Sequence, residues 1–164
     1  MTGGTVLING PTQNMNGALD DSGSFEISGG YLIAAGSAGM AMAPSSSSSQ
    51  NAVMINATSA LSAGTPIHIE DAGGETIVTF RPTKSYQSFV LSSGDLNTGV
   101  TYYVYTGGTA IGDSADGLYT SGAYTPGTRL GSFAVSSAVT VGGSTSRGPD
   151  SRGGGSPKGE RSGA

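Results

Sequence analysis

The chain of 164 residues contains 29 glycines, and Asp, Glu, Lys and Arg together make up 11% of it. This length predicts a single domain with at most a small second lobe. Because no window shows apolar residues at helical spacing, glycine-rich and charge-poor sequence of this kind predicts an all-β fold. The chain has no cysteine, which excludes disulfides and thiolate metal sites.

Charge is unevenly distributed along the chain. Residues before position 143 include three basic and nine acidic side chains, a balance of 3 − 9 = −6, and the remainder has a balance of 4 − 2 = +2. An acidic body repels phosphate backbones, which argues against nucleic acid as a partner. No apolar run approaches the roughly 20 residues needed to cross a bilayer, so we do not expect membrane insertion.

The first predicted element is a repeated strand. Residues 3–10 (GGTVLING) return as residues 29–36 (GGYLIAAG) at an offset of 29 − 3 = 26. A short apolar strand with glycine corners that returns at such an interval predicts stacked coils, each burying its inner face against a neighbour. We therefore interpret residues 1–48 as the last coils of a parallel β-helix. The sequence is expected to be a fragment whose earlier coils, with any export signal, are missing.

Hairpin patterns replace the coil pattern after a serine-rich segment at 45–49, which we interpret as an exposed linker. Turn residues separate strands predicted at 52–55, 65–70, 76–80, 86–91, 100–105 and 130–141. These strands predict a small antiparallel meander or sandwich over residues 49–142 that caps the coils. Residues 107–127 are expected to form a long loop. The composition of residues 143–164 predicts a disordered Gly/Ser/Arg tail.

Several motifs, taken in order and spacing, resemble a bacterial extracellular carbohydrate-binding family whose members have a right-handed β-helix like that of pectate lyases. The matching stretches are NGALD at 16–20, FEISGG at 25–30, LIAAGSAGMA at 32–41, IED at 69–71, IVTF at 77–80 and YYVYTGG at 102–108. The resemblance implies a secreted or surface-attached, non-catalytic module. It implies cellulose or acidic pectic chains as the ligand class and calcium as the associated ion.

A metal site is predicted after the first strand. Asp20 and Asp21, with Asn16 nearby, offer the hard oxygen ligands that Ca²⁺ prefers. A bound Ca²⁺ would also bridge an acidic protein to a polyuronate. The alternative is that Asp-Asp-Ser-Gly serves as turn chemistry.

Tyrosines supply the candidate sugar-binding residues. In the strand at 100–105, Tyr103 and Tyr105 have the parity opposite to Tyr102, so we expect both to face outward as a platform for sugar rings. Tyr119 beside Asp116 in the long loop is a second candidate. The alternatives are ordinary packing of the tyrosines against a loop and a turn role for Asp116.

Nothing in the sequence assembles an acid–base pair, so we do not expect an enzyme. His68 lies between Ile67 and Ile69 and is interpreted as an exposed strand residue beside Glu70. Residues 1–43 contain no Arg or Lys, the usual base of β-helix lyases, which makes a polysaccharide lyase fragment the weaker alternative. A structural or adhesive cell-surface solenoid without a specific ligand is the other. An extracellular or cell-surface location follows from the resemblance.

Overall fold

A computed structural model describes residues 1–143, and every regular element within that range is a β-strand. The all-β prediction is therefore confirmed, whereas the predicted disorder of the tail concerns residues 144–164, which lie outside the described part. The strands are β1 (Thr2–Asn9), β2 (Gly29–Gly36), β3 (Ala52–Leu61), β4 (Ile67–Asp71), β5 (Thr76–Phe80), β6 (Tyr86–Ser92), β7 (Thr101–Thr106), β8 (Thr109–Ile111), β9 (Ser114–Ala115), β10 (Leu118–Tyr119), β11 (Ala123–Thr125), β12 (Thr128–Ala134) and β13 (Val139–Gly143).

The strands form two open sheets and one hairpin. Sheet A has the order β1-β2-β6-β3-β13, and its two outer pairs are parallel. Sheet B has the order β12-β7-β4-β5-β10-β9 and is antiparallel throughout. Strands β8 and β11 pair with each other alone.

One apolar core lies between the sheets, since each contributes alternate side chains to a single buried cluster. Its buried members in the main strands are Ile33, Ala35, Val53, Ile55, Tyr86, Phe89 and Leu91 from sheet A and Ile67, Ile69, Val78, Phe80, Tyr102, Val104 and Phe133 from sheet B. Full burial of each large apolar side chain contributes roughly 1.5–3 kcal/mol. The side chains on the opposite faces lie outside this cluster, although Leu32 and Ala34 of β2 are buried there as well.

The 26-residue repeat in the sequence corresponds to the register in which β1 pairs with β2 in sheet A. β1 and β2 run parallel with Val6 opposite Leu32, the same offset of 32 − 6 = 26 that the sequence shows. Gly4 and Gly30 occupy equivalent places beside a register shift, with left-handed φ values of +83° and +100°. A Cβ atom on Gly30 would lie 2.7 Å from the carbonyl oxygen of Gly4. The glycines thus recur because the two backbones approach closely there.

The connections that follow β1 and β2 also lie on one another. The backbone N–H of Ser37 donates to the carbonyl of Pro11 at 2.9 Å, and that of Ser45 donates to Phe25 at 2.7 Å. Ala18 packs against both corner glycines. A Cβ atom added to Gly10 would lie 2.5 Å from the methyl carbon of Ala18, and one added to Gly36 would lie 2.9 Å from it. Two successive turns of chain are therefore in contact over their loops as well as their strands.

β2 joins this pair of turns to the rest of the chain. Its second neighbour is β6, to which it is antiparallel, with Ile33 opposite Leu91. Residues of both parities are buried along β2, Leu32 and Ala34 on one face and Ile33 and Ala35 on the other. The segments predicted as coils and as cap thus share one sheet. A right-handed β-helix is not established by these open sheets, and the boundary at residue 48 stays a prediction.

Three local predictions are wrong. Residues 107–127 are not an unstructured loop, since β8 and β11 pair within them. The strand predicted at 130–141 is two strands in different sheets, because the chain leaves β12 after Ala134 and returns as β13 beside β3. The serine run at 45–49 is not a freely exposed linker: Ser48 is buried, and its Oγ accepts a 3.0 Å hydrogen bond from the N–H of Ile27.

Candidate functional site

The face of sheet B turned away from sheet A, called here the outer face, collects most of the polar and aromatic side chains of interest. It carries the residues that alternate with the core positions of β4, β5, β7 and β12. One row across these strands contains Thr79, His68, Tyr105 and Arg129, which are neighbours in register. Antiparallel pairing therefore brings together four residues from separate parts of the sequence.

The hairpin of β8 and β11 lies over the middle of the outer face. The ring of Tyr124 stacks on the ring of His68, with centroids 4.0 Å apart and planes 17° apart. The hydroxyl of Tyr124 donates to the carbonyl of Gly107 at 2.9 Å and so ties the ring to the start of the hairpin. His68 is 1% exposed. The expectation of an exposed histidine is wrong, because this hairpin covers the outward side of β4.

His68 is held by two further contacts. Its Nδ1 lies 2.7 Å from the hydroxyl of Thr79, and its Nε2 lies 3.3 Å from Oε2 of Glu70. Burial lowers the pKa of His68 from its ordinary value, while the hydrogen bond and charge of Glu70 act in the opposite direction. The imidazole is therefore neutral at pH 7 and serves as a flat, hydrogen-bonded support for Tyr124.

Tyr103 and Tyr105 lie side by side on the outer face of β7, each half-buried, whereas Tyr102 is buried in the core. The ring centroid of Tyr105 lies 6.3 Å from that of His68. Burial, followed by the negative charge of Glu70, raises the pKa of Tyr105, so its hydroxyl stays protonated. The strand parity thus places both predicted tyrosines outward, and their binding role stays a prediction.

Arg129 extends this row on β12. Its guanidinium carbon lies 4.4 Å from the centroid of the Tyr103 ring, a cation–π contact. The residue is exposed, and no carboxylate of the described residues lies within salt-bridge distance of it. Sequence reasoning missed Arg129, because the register of β12 against β7 contains a shift between Arg129 and Gly131 that no sequence pattern signals.

A cleft of about 340 Å³ opens between the hairpin and the outer face of β5. Half of its lining residues carry a hydroxyl group, namely Thr76, Thr79, Tyr119, Thr120, Ser121 and Tyr124, and the other half are aliphatic residues or glycine. Tyr119, predicted as a sugar-binding residue, is therefore in a cavity. Asp116 is exposed at the β9–β10 turn with φ of 51° and does not line the cleft, which agrees with its turn alternative.

The predicted calcium residues lie in the loop between β1 and β2. Asn16 and Asp20 line a cavity of about 250 Å³ together with three methionine side chains. Asp21 uses Oδ1 to accept the N–H of Gly23 at 3.2 Å, as in turn chemistry. Within residues 1–143 no three His, Cys, Asp or Glu side chains come together to hold a metal. With the carboxylates of Asp20 and Asp21 as ligands, most of the six to eight oxygens that Ca²⁺ takes would come from Asn16, backbone carbonyls and water, and the calcium site stays a prediction.

No family model, no curated protein and no solved structure matches this chain. The fold defines an all-β protein in which two open sheets pack together and a hairpin lies over the second sheet. Across the described residues, no helix is long and apolar enough to span a membrane.

Proposed function

We propose that the protein is a non-catalytic module that binds plant cell-wall polysaccharide, cellulose or acidic pectic chains, on the outer face of sheet B. The observation that carries the proposal is the position of four half-buried tyrosines on this face or on the hairpin over it. They are Tyr103, Tyr105, Tyr119 and Tyr124.

The chemistry of this face suits a sugar chain. Tyrosine rings offer apolar surface to the C–H face of a sugar and a hydroxyl to its rim. The cleft beside the hairpin, at about 340 Å³, falls within the usual range for ligand sites. Thr76, Thr120 and Ser121 around it both donate and accept hydrogen bonds, as hydroxyl-rich ligands require.

The titratable groups of this face support binding over catalysis. His68 and Glu70 are in contact at 3.3 Å, a pairing that acid–base chemistry uses. Tyr124 covers the imidazole, however, and leaves it 1% exposed, so a substrate has no access to its proton. The pair therefore supports the surface that it lies beneath.

For the scaffold we propose that β1, β2 and the loops after them are two stacked coils of a right-handed parallel β-helix, capped by the remaining strands. The 26-residue register, the paired glycines and the loop-to-loop hydrogen bonds support stacking. A further parallel strand would add at the free edge of β1. A calcium contribution and an extracellular location are proposed from the family resemblance alone.

The proposal is tested by titrating the whole chain with cello-oligosaccharides and oligogalacturonates, and by co-sedimentation with cellulose, in calcium and in chelator. Tyr105→Ala should weaken binding about fivefold to tenfold, the effect of roughly 1–1.4 kcal/mol of lost aromatic contact. Val141→Ala is the control, since Val141 is an apolar residue 64% exposed on β13 of sheet A, and it should bind as the unaltered chain does.

The alternatives give different results in the same assay. A structural or adhesive protein would bind none of these polysaccharides. A lyase would release unsaturated products that absorb in the ultraviolet. Equal affinity of Tyr105→Ala and the unaltered chain would remove the outer face from consideration.

A further inference from the structure

We propose that Arg129 determines specificity on the outer face by binding the carboxylate of a uronic acid residue directly, without a metal ion. The inference rests on the proposed function and deepens it. Of the two ligand classes, cellulose and acidic pectic chains, it favours the acidic chains and names the side chain that would bind them. It also gives Tyr103 and Tyr105 different roles.

The first support is the position of the guanidinium. Arg129 is opposite Tyr105 in the β7–β12 ladder, and its guanidinium carbon lies 4.4 Å from the ring centroid of Tyr103. A long arginine side chain normally loses much rotamer freedom on binding a ligand. Because the Tyr103 ring already restrains it, Arg129 is held beside the ring of Tyr105 before any ligand arrives. Tyr103 is thus a positioning residue, and Tyr105 is the surface for the sugar ring.

The second support is that the charge of Arg129 is uncompensated. The residue is exposed, and among the described side chains no carboxylate reaches it. Guanidinium presents a planar set of donors that matches a carboxylate in two parallel hydrogen bonds. The other basic side chains of residues 1–143, Arg81 and Lys84, belong to the connection between β5 and β6, and Arg81 already donates to the carbonyl of Gly64 at 3.0 Å.

The charges around the site define where an anion fits. Residues before position 143 have a balance of 3 − 9 = −6, so the body as a whole repels a polyuronate. Glu70 is the acid on this face, and it pairs in register with Tyr103 from the β4 side and contacts His68. Glu70 and Arg129 belong to β4 and β12, the two strands that flank β7, and the charges of both act on Tyr105 between them. A carboxylate therefore fits at the β12 side of Tyr105, while Glu70 on the β4 side already contacts His68.

The test compares two ligands that differ in the carboxylate alone, an oligogalacturonate and its fully methyl-esterified form, titrated by calorimetry with chelator present. The unaltered chain should bind the acid more tightly than the ester. Arg129→Gln should lose about tenfold in affinity for the acid and much less for the ester, so that the preference for the acid disappears, and Arg129→Lys should fall between. The preference for the acid should shrink as salt is raised from 50 to 500 mM.

The inference is overturned if Arg129→Gln binds acid and ester as the unaltered chain does, or if the unaltered chain prefers the ester. Failure of the proposed function has another signature, in which the unaltered chain binds neither ligand nor cello-oligosaccharides. Binding of the ester that Tyr105→Ala weakens, with no acid preference, would keep the proposed function and discard the role of Arg129. Melting temperatures of the two Arg129 variants should match that of the unaltered chain, since Arg129 is exposed.

Discussion

Replacement of Gly39 by alanine tests whether the loops after β1 and β2 truly lie on one another. A Cβ atom on Gly39 would meet the backbone of Asn14, with the carbonyl carbon 2.7 Å and the Cα 2.8 Å away and the carbonyl oxygen nearer still. The neighbour is main chain, which cannot turn aside as a side chain does. The methyl group is accommodated only if the two loops separate.

The size of the effect follows from this clash. Overpacking of a close contact costs about 1–3 kcal/mol. For a domain of this size, each kcal/mol lowers the melting temperature by roughly 2–4 °C, so we expect a decrease of roughly 2–12 °C. Gly23→Ala is the matched control in the same loop region, since no atom lies within 4 Å of its added Cβ and its φ is not left-handed. It should melt at or slightly above the temperature of the unaltered chain.

Scanning calorimetry and urea denaturation of the three proteins provide the measurement. A decrease for Gly39→Ala with Gly23→Ala unchanged supports stacked turns. Melting of Gly39→Ala within a degree of Gly23→Ala would contradict the close contact, because the loops would then accept a methyl group without separating.

Two further variants address sheet B. Tyr102→Phe removes a buried hydroxyl that accepts the N–H of Asn97 at 2.7 Å and donates to the carbonyl of Asp95 at 3.1 Å, so urea unfolding should show a loss of about 1–3 kcal/mol, and an unchanged midpoint would contradict these contacts. Because burial lowers the pKa of His68, the folded state binds fewer protons than the unfolded state, so its stability contribution is complete above about pH 6.5 and falls as the pH decreases toward the folded pKa. His68→Gln should therefore flatten the decline in melting temperature between pH 7 and about 5, and an equally steep decline would refute the buried neutral imidazole.

Sheet A could be predicted in part from the sequence, because the parallel pair of β1 and β2 is visible as one strand pattern repeated at a fixed offset. An offset of 26 between two apolar strands becomes the register of β1 against β2, and glycines recur where backbones meet. Nothing in the pattern indicated that β2 would also pair with β6, since an apolar strand buried on both faces reads the same whatever its second neighbour is.

The candidate site was predictable only to the level of strand parity. Alternation placed Tyr103 and Tyr105 outward on β7. It could not bring Arg129 beside them, because that depends on a register shift in β12. It also misassigned His68, since alternation gives the face of a strand and not what covers that face. The covering hairpin is built from two strands of three residues each, which are too short to show an alternating pattern.

The most direct measurement for the central claim is a titration of the isotopically labelled chain with oligogalacturonate, followed residue by residue through its backbone amide resonances. The account predicts saturable shifts concentrated on β7, on β12 around Arg129 and on the hairpin around Tyr124, with the loop around Asp20 unaffected in chelator. Absence of saturable shifts, or shifts confined to that loop and to β1, would contradict a polysaccharide site on the outer face of sheet B.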